Sequence, residues 1–123
     1  MAKDKSDILQ AFRILDLAFY TDEAMNTQAY DLFRKAVFAG EDINTVDEDG
    51  RNGLFYALDY DIKPMVTLCI ARGIDIQHRV YEDIAERELN IFQMCILDGD
   101  DEMLEFILEK CAEHEVELED GQY

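Results

Sequence analysis

Residue types that carry protein chemistry are abundant in this sequence, but few of them have the spacing that chemistry requires. Cys111 and His114, separated by two residues, have the spacing of a pair of zinc ligands. A structural zinc site needs a second close pair, and the remaining candidates, Cys69, Cys95 and His78, are scattered along the chain. The pattern therefore favours a buried thiol beside a solvated imidazole over a metal centre.

Two acidic clusters, "DEDG" and "DGDDE", have the composition of calcium-binding loops. An EF-hand needs Gly at its sixth position and oxygen ligands at its first and twelfth. If Gly50 is placed sixth, Thr45 and Tyr56 fall first and twelfth, and the second cluster has Met103 where Gly is required. The glycine-bearing stretch 40–53 also lacks the G-x-G-x-x-G pattern and the P-loop lysine that cradle phosphate. We therefore expect no metal ion and no cofactor.

Nucleophilic catalysis is not indicated by the cysteines and histidines. A cysteine nucleophile needs a neighbouring base, and neither His78 nor His114 is predicted to lie near Cys69 or Cys95. Paired carboxylates occur throughout the chain, so no single pair stands out as a general acid and base. The sequence predicts a protein that is not an enzyme.

The charge balance is the most unusual property of the composition. The 123 residues include 29 acids against 11 bases, which gives a net charge of −18 at pH 7. Such a charge repels nucleic acid and anionic lipid and steers basic macromolecules towards the protein. The alternative is that the acidity serves only solubility. The length is that of one domain, and hydrophobic residues make up 49%, well above a disordered composition.

The same sequence indicates a cytoplasmic protein. The apolar runs are only a few residues long, as at 17–20, so we expect no membrane span. Asp4 and Asp7 fall where a signal peptide needs an apolar segment. The three cysteines are odd in number and lie in apolar runs, which is typical of buried free thiols in a reducing compartment.

Hydrophobic spacing near 3.6 residues predicts an all-α fold. Ser6 is the expected N-cap of the first helix. A loop at 21–27 is expected to interrupt the pattern, and both Thr21 and Thr27 are candidate starts of the second helix. No stretch has the sustained two-residue alternation of a half-buried strand. The predicted helices cover residues 8–20, 29–40, 52–60, 62–73, 90–99 and 100–112.

The chain also repeats itself. "AGEDIN" at 39–44 returns 33 residues later as "RGIDIQ" at 72–77, each time after an apolar helical run. Gly40 and Gly73 are predicted to end their helices in the left-handed conformation. A helix–turn–helix unit recurring at 33 residues has the period of ankyrin repeats.

Residues 47–77 resemble the ankyrin consensus along their whole length. Asp47 and Gly50 match its D-x-x-G turn, and Asn52 stands where the family has Thr. The T-P-L-H motif reads "NGLF" and "NIFQ" here, so the histidine that ties adjacent turns in the family is replaced by Phe55 and Gln93. The resemblance implies a solenoid of about three repeats. Its expected parts are a degenerate repeat 6–46, a repeat 47–79, an insertion 80–89, a repeat 90–112 and an acidic tail 113–123.

The resemblance also implies a binding surface, because ankyrin repeats usually bind partners on the concave face of turn tips and inner helices. Tyr60 has two interpretations that the sequence leaves open: an aromatic anchor that faces outward among acids, or a ring half-packed against the next helix. Phe55 and Tyr56 are predicted to lie in the core. The partner-binding residues predicted from this register are Glu48, Asp49, Arg51, Asp59, Tyr60, Glu86, Arg87, Leu89, Leu97 and Asp98.

Charge, size and resemblance together predict a non-catalytic module that binds a basic protein, without direct contact to nucleic acid or membrane. Small acidic ankyrin-like proteins occur among bacterial immunity proteins, which block a basic toxin such as a nuclease. Two other functions fit the same sequence. One is a nucleic-acid mimic that inhibits a defence protein, and the other is an intracellular scaffold or regulator.

Overall fold

The computed structural model describes residues 6–18 and 23–118, and within these ranges the protein is mainly helical. The described chain forms six helices and one two-stranded sheet. The helices are α1 (Asp7–Ala18), α2 (Glu23–Phe38), α3 (Gly53–Tyr60), α4 (Lys63–Ala71), α5 (Ile91–Asp98) and α6 (Asp101–Glu113), and the strands are β1 (Val80–Glu82) and β2 (Arg87–Leu89).

The helices form three consecutive pairs, α1 with α2, α3 with α4, and α5 with α6. The first members contact one another in series, α1 to α3 to α5, and we call them the inner row. The second members do the same, α2 to α4 to α6, and form the outer row. One apolar cluster fills the space between the rows, and its largest fully buried members include Phe12, Phe33, Tyr56 and Phe92. Burial of this shared seam is the main stabilising contribution.

Polar side chains cap α1, α3, α5 and α6 at their N-termini. The Ser6 hydroxyl accepts the backbone N–H of Leu9 at 3.2 Å, which confirms the predicted cap of α1. The side chain of Asn52 accepts the N–H groups of Leu54 and Phe55 at the start of α3, and Asp100 accepts the N–H of Met103 at the start of α6. In α5, Asn90 forms a capping box with Gln93. These caps explain why two Asn side chains are fully buried.

The repeated hexapeptide is one structural turn made twice. Gly40 and Gly73 have φ of +101° and +78°, which confirms the predicted left-handed ends of α2 and α4. Two residues later, Asp42 and Asp75 each accept the backbone N–H two positions further on, at 2.9 and 3.0 Å. The two turns are also joined, because the Asp75 backbone N–H donates to Asn44 Oδ1 at 2.8 Å.

The prediction of purely helical structure was wrong at residues 80–89. This segment, expected as an insertion, forms a β1–β2 hairpin with Val80 opposite Leu89 and Glu82 opposite Arg87. Each strand has three residues, which is too short for an alternating pattern to be recognised in the sequence. Val80 and Leu89 are both buried and anchor the hairpin to the core.

The expected loop at 21–27 was wrong in its described part, because residues 23–27 begin α2. Residues 21 and 22 lie outside the described residues. The acidic tail predicted at 113–123 starts with a capping turn, in which Val116 N–H donates to Cys111 O at 2.8 Å and the Val116 side chain packs on the core. Residues 119–123 of that tail also lie outside the described part of the chain.

Gly53 is required where α3 crosses α2 and α4. A Cβ at this position would lie 2.8 Å from Cys69 Sγ and 2.9 Å from Phe33 Cζ. We therefore expect Gly53→Ala to lower the free energy of unfolding by about 1–3 kcal/mol through overpacking, measured by urea denaturation. Adding Cys69→Ala removes one of the two contacts, so the double-mutant cycle should show a favourable coupling. Strictly additive effects would contradict the steric explanation.

Candidate functional site

A tight turn before α3 places Arg51 beside the N-terminal end of this inner-row helix. Asp47 Oδ1 accepts the backbone N–H groups of Asp49 and Arg51, both at 2.9 Å. Gly50 has φ of +84°, a conformation that favours glycine, and its N–H donates to the Asp47 carbonyl. The D-x-x-G pattern therefore fixes the direction of the Arg51 side chain.

The guanidinium of Arg51 joins three carboxylates from different parts of the chain. Arg51 Nε donates to Asp47 Oδ2 at 3.0 Å, and Nη2 donates to Asp16 Oδ2 of α1 at 3.2 Å. Nη1 lies 3.5 Å from Asp59 Oδ2 of α3. The Arg51 side chain is 24% exposed, so these ion pairs are partly shielded from water. One cation thereby ties the first two helices of the inner row to the turn between them.

Two tyrosine hydroxyls complete this network, which we call the Arg51 network. The Tyr56 hydroxyl lies 2.5 Å from Asp47 Oδ2 and 3.0 Å from Asp16 Oδ2, and accepts from Arg51 Nη2 at 2.8 Å. The Tyr60 hydroxyl donates to Asp16 Oδ1 at 2.8 Å. Burial and the hydrogen bond to Asp47 raise the pKa of Tyr56. The Tyr56 phenol therefore acts as a neutral donor to carboxylates at neutral pH.

Two hollows open on either side of Arg51 and Asp49. The first, of about 470 Å³, lies between α1 and the turn and includes Arg13, Val46 and Glu48 in its lining. The second, of about 540 Å³, lies between the turn, α3, the hairpin and α5, and we call it the hairpin hollow. Together they form what we call the acidic groove. The hairpin hollow is lined by Asp49, Arg51, Asp59, Val80, Tyr81, Glu82, Asp83, Met94 and Asp98.

The carboxylates of the groove destabilise one another's ionised forms. Burial is the largest cause that raises the pKa of Asp59 to about 6; Arg51 opposes the shift, and the Asp98 carboxylate adds to it. Burial likewise raises the pKa of Asp98, with added repulsion from Asp100 and Glu82. At Asp47 the balance is reversed. Burial acts to raise the pKa of Asp47, but hydrogen bonds from Tyr56 and the Arg51 backbone lower it overall.

The structure brings together part of the predicted partner-binding set. Arg51, Asp49, Asp59 and Asp98 line the hairpin hollow, and Glu48 lines the adjoining hollow. Leu97 follows on the same helix and is 43% exposed.

The other predicted contacts lie elsewhere. Glu86 and Arg87 are exposed on the hairpin but do not line either hollow of the groove. Leu89 was predicted as a contact, and this is a correction, because its side chain is only 2% exposed and anchors the hairpin. Tyr60 has the half-packed environment that was one of its two interpretations from the sequence. Its ring is half-buried, its hydroxyl is bonded to Asp16, and it lines a separate hollow beside Ile62.

Several residues of the site were not found from the sequence. Asp16 belongs to α1, whose register fits the repeat poorly, although Asp16, Asp59 and Asp98 all lie near the C-terminal ends of inner-row helices. His78 Nε2 lies 2.6 Å from the Gly50 carbonyl and ties the segment before β1 to the Arg51 turn. A histidine thus links neighbouring turns. Phe55 meets the edge of the His78 ring.

The other chemically reactive groups lie outside the groove. Cys69, Cys95 and Cys111 are buried free thiols. Burial raises the pKa of Cys95 to about 12 and that of Cys111 to about 11. No cluster of three or more potential metal ligands occurs within residues 6–18 and 23–118.

Comparison with known proteins finds no matching family model, curated protein or solved structure. Among the described helices, none combines the length and apolar character needed to cross a bilayer. The function must therefore be argued from the groove itself.

Arg51 is expected to contribute strongly to stability. Arg51→Gln leaves Asp47 and the Tyr56 hydroxyl partly buried without their cation, so the free energy of unfolding should fall by roughly 2 kcal/mol in urea denaturation. The matched control is Arg34→Gln, because Arg34 forms a long ion pair of 3.8 Å with the exposed Asp31. Its effect should stay within about 0.5 kcal/mol. Equal effects of the two substitutions would contradict the role assigned to Arg51.

Asp59 should make stability depend on pH. Its pKa is higher in the folded protein, about 6, than the ordinary value of 3.8, so the folded state binds the extra proton between these values. Its contribution to the unfolding free energy therefore grows as the pH falls from 7 to 4. We expect Asp59→Asn to stabilise the protein at pH 7, on the order of 1 kcal/mol, and to flatten this part of the profile.

The measurement is urea denaturation at a series of pH values between 4 and 7. Asp31→Asn on α2 makes the same change in net charge away from the groove, and it separates the Asp59 effect from a general loss of negative charge. Parallel profiles for wild type and Asp59→Asn would rule out the proposed protonation of Asp59 in this interval.

Proposed function

We propose that the chain is a non-catalytic, ankyrin-like binding module of the cytoplasm that blocks a basic protein. The ankyrin assignment is supported by the stacking of three helix pairs in two rows and by the two identical turns after α2 and α4. It is further supported by the D-x-x-G turn, which has the hydrogen bonding expected of that motif.

The observation that carries the proposed activity is the acidic groove. Across the tips of the turn and the inner row, carboxylates outnumber cations, and the central cation, Arg51, is already paired with three of them. A concave negative surface focuses the electrostatic field and accelerates association with a positively charged partner. A basic cleft that binds nucleic acid has the complementary charge, which makes a toxin nuclease a fitting target.

The same carboxylates would serve a nucleic-acid mimic, but the apolar side chains around them favour a shaped protein interface. Val46, Tyr81 and Leu97 are 39%, 58% and 43% exposed beside the groove. Apolar anchors surrounded by charged residues are typical of protein interfaces. In such interfaces the shape complementarity of the two surfaces is kept when salt screens the charges. We therefore place protein blockade ahead of mimicry. An intracellular scaffold, whose acidity serves solubility, remains the third proposal.

The proposal is tested by reversing charges in the groove. The immobilised protein should retain a basic protein from a lysate of its native cell, and Glu48→Lys with Asp98→Lys should reduce that retention at least tenfold through repulsion. The control, Glu105→Lys with Glu109→Lys, makes the same change in net charge on exposed positions of α6. Retention is quantified by mass spectrometry at low and at physiological salt.

The pattern of losses separates the three functions. If the groove and α6 variants lose equal amounts of retained protein, the acidity acts only through net charge. This result would contradict a groove-binding function. Retention abolished by moderate salt would favour the mimic, because screening weakens exposed charge pairs over a Debye length of about 8 Å at 0.15 M. Retention of several unrelated proteins, without a preference for basic ones, would favour the scaffold.

A further inference from the structure

The hairpin hollow has an apolar wall as well as an acidic one. Val80 and Tyr81 contribute from β1, and Met94 contributes from α5. The Tyr81 side chain is 58% exposed, although a tyrosine ring buries well when a neighbour is available. Leu97, about one helical turn beyond Met94 on α5, is 43% exposed. The hollow thus offers contact area to an apolar stem.

The hairpin holds this wall in place through its own bonds. Val80 and Leu89 are buried at its base, opposite each other in the β1–β2 register. At the other end, the Glu82 carbonyl accepts the Glu86 N–H at 2.7 Å, and its carboxylate accepts the Ala85 N–H at 2.9 Å. Tyr81 therefore lies on an ordered strand, and an occupant would not have to organise it first.

The charges of the hollow are strongly unbalanced. Five carboxylates face it, against the single guanidinium of Arg51 among the described residues of its lining. That guanidinium is shared with Asp16 and Asp47 outside the hollow. The Asp98 carboxylate raises the cost of ionising Asp59. A second cation placed between them would relieve this repulsion.

An occupant must therefore be apolar along its length and cationic at its end. Lys and Arg side chains have this character, because a methylene stem precedes the charged group. Arg fits better than Lys, since its planar guanidinium stacks on an aromatic ring and offers several donors to separate carboxylates.

We propose that the hairpin hollow receives one arginine side chain of the protein partner. The stem lies against Val80 and Met94, and the guanidinium stacks on Tyr81 and bonds the carboxylates of Asp98 and Asp59. This assignment rests on the proposed function and names the chemical group by which the partner is recognised. It also gives the hairpin, at 80–89, a role as one wall of a recognition pocket.

The test uses the blocked amino acid N-acetyl-arginine N-methylamide as the probe, titrated into the ¹⁵N-labelled full chain at low salt. We expect the largest amide shifts in β1 and in the second half of α5. The citrulline analogue, which has the same shape without the charge, should bind at least fivefold more weakly. Uniform shifts over the acidic surface, or equal binding of the two probes, would overturn the proposal.

Variants of the hairpin hollow test its apolar wall and its acidic wall separately. Tyr81→Ala should weaken the arginine probe roughly two- to fivefold, the usual size of an exposed cation–π contact, whereas Tyr81→Phe should preserve its binding. Asp98→Asn should weaken it by a similar factor. Glu109→Gln removes one charge from the exposed surface of α6 and should leave it unchanged. Spectra of the variants without probe verify that they are folded. Equal effects of Asp98→Asn and Glu109→Gln on binding of the arginine probe would overturn the proposal.

The retention and probe-binding experiments together distinguish failure of the arginine pocket from failure of the proposed blocking function. If a basic protein is retained and lost on charge reversal in the groove, but Tyr81→Ala does not reduce its retention, the arginine pocket is wrong and the blocking function stands. If the probe binds in the hollow but no basic protein is retained, the protein source of the arginine and the blocking function both fail.

Discussion

The inner row depends on one shared cation. The protein concentrates carboxylates where the inner helices end. The Arg51 guanidinium offsets the repulsion among three of them, Asp16, Asp47 and Asp59. Its guanidinium also lies 4.3 Å from the centre of the Tyr56 ring, so the charge is held by packing as well as by pairing. The turn, α1 and α3 consequently form one electrostatic unit in a chain whose net charge of −18 otherwise opposes compaction.

Hydrogen bonds between side chains and backbone groups of successive turns reinforce this unit. Asn44 receives the Asp75 N–H from the next turn, and His78 reaches back to the Gly50 carbonyl. Because each bond joins residues about 30 positions apart, it fixes the spacing between helix pairs and not only the shape of one turn. The groove therefore has a defined width before any partner arrives, which reduces the ordering cost of association.

Local patterns were sufficient to predict six helices and several of their ends, but not the start of α2. Gly40 and Gly73 end helices for a conformational reason that is visible in the sequence itself. The hairpin was missed because three residues per strand carry no readable period. The hydrogen bond between Asp16 and Tyr60 was missed for a different reason. It joins residues 44 positions apart, and no local spacing encodes which of many carboxylates a distant phenol will meet.

Deep burial of the three cysteines has a practical consequence. Cys69, Cys95 and Cys111 lie in three different helices, and their thiol pKa values are raised by desolvation, so the native protein presents almost no thiolate to reagents in solution. Alkylation of each sulfur must wait for its helix to separate from the core. The rates at the three positions would then report, without any introduced label, how far the pair α5–α6 opens independently of α4.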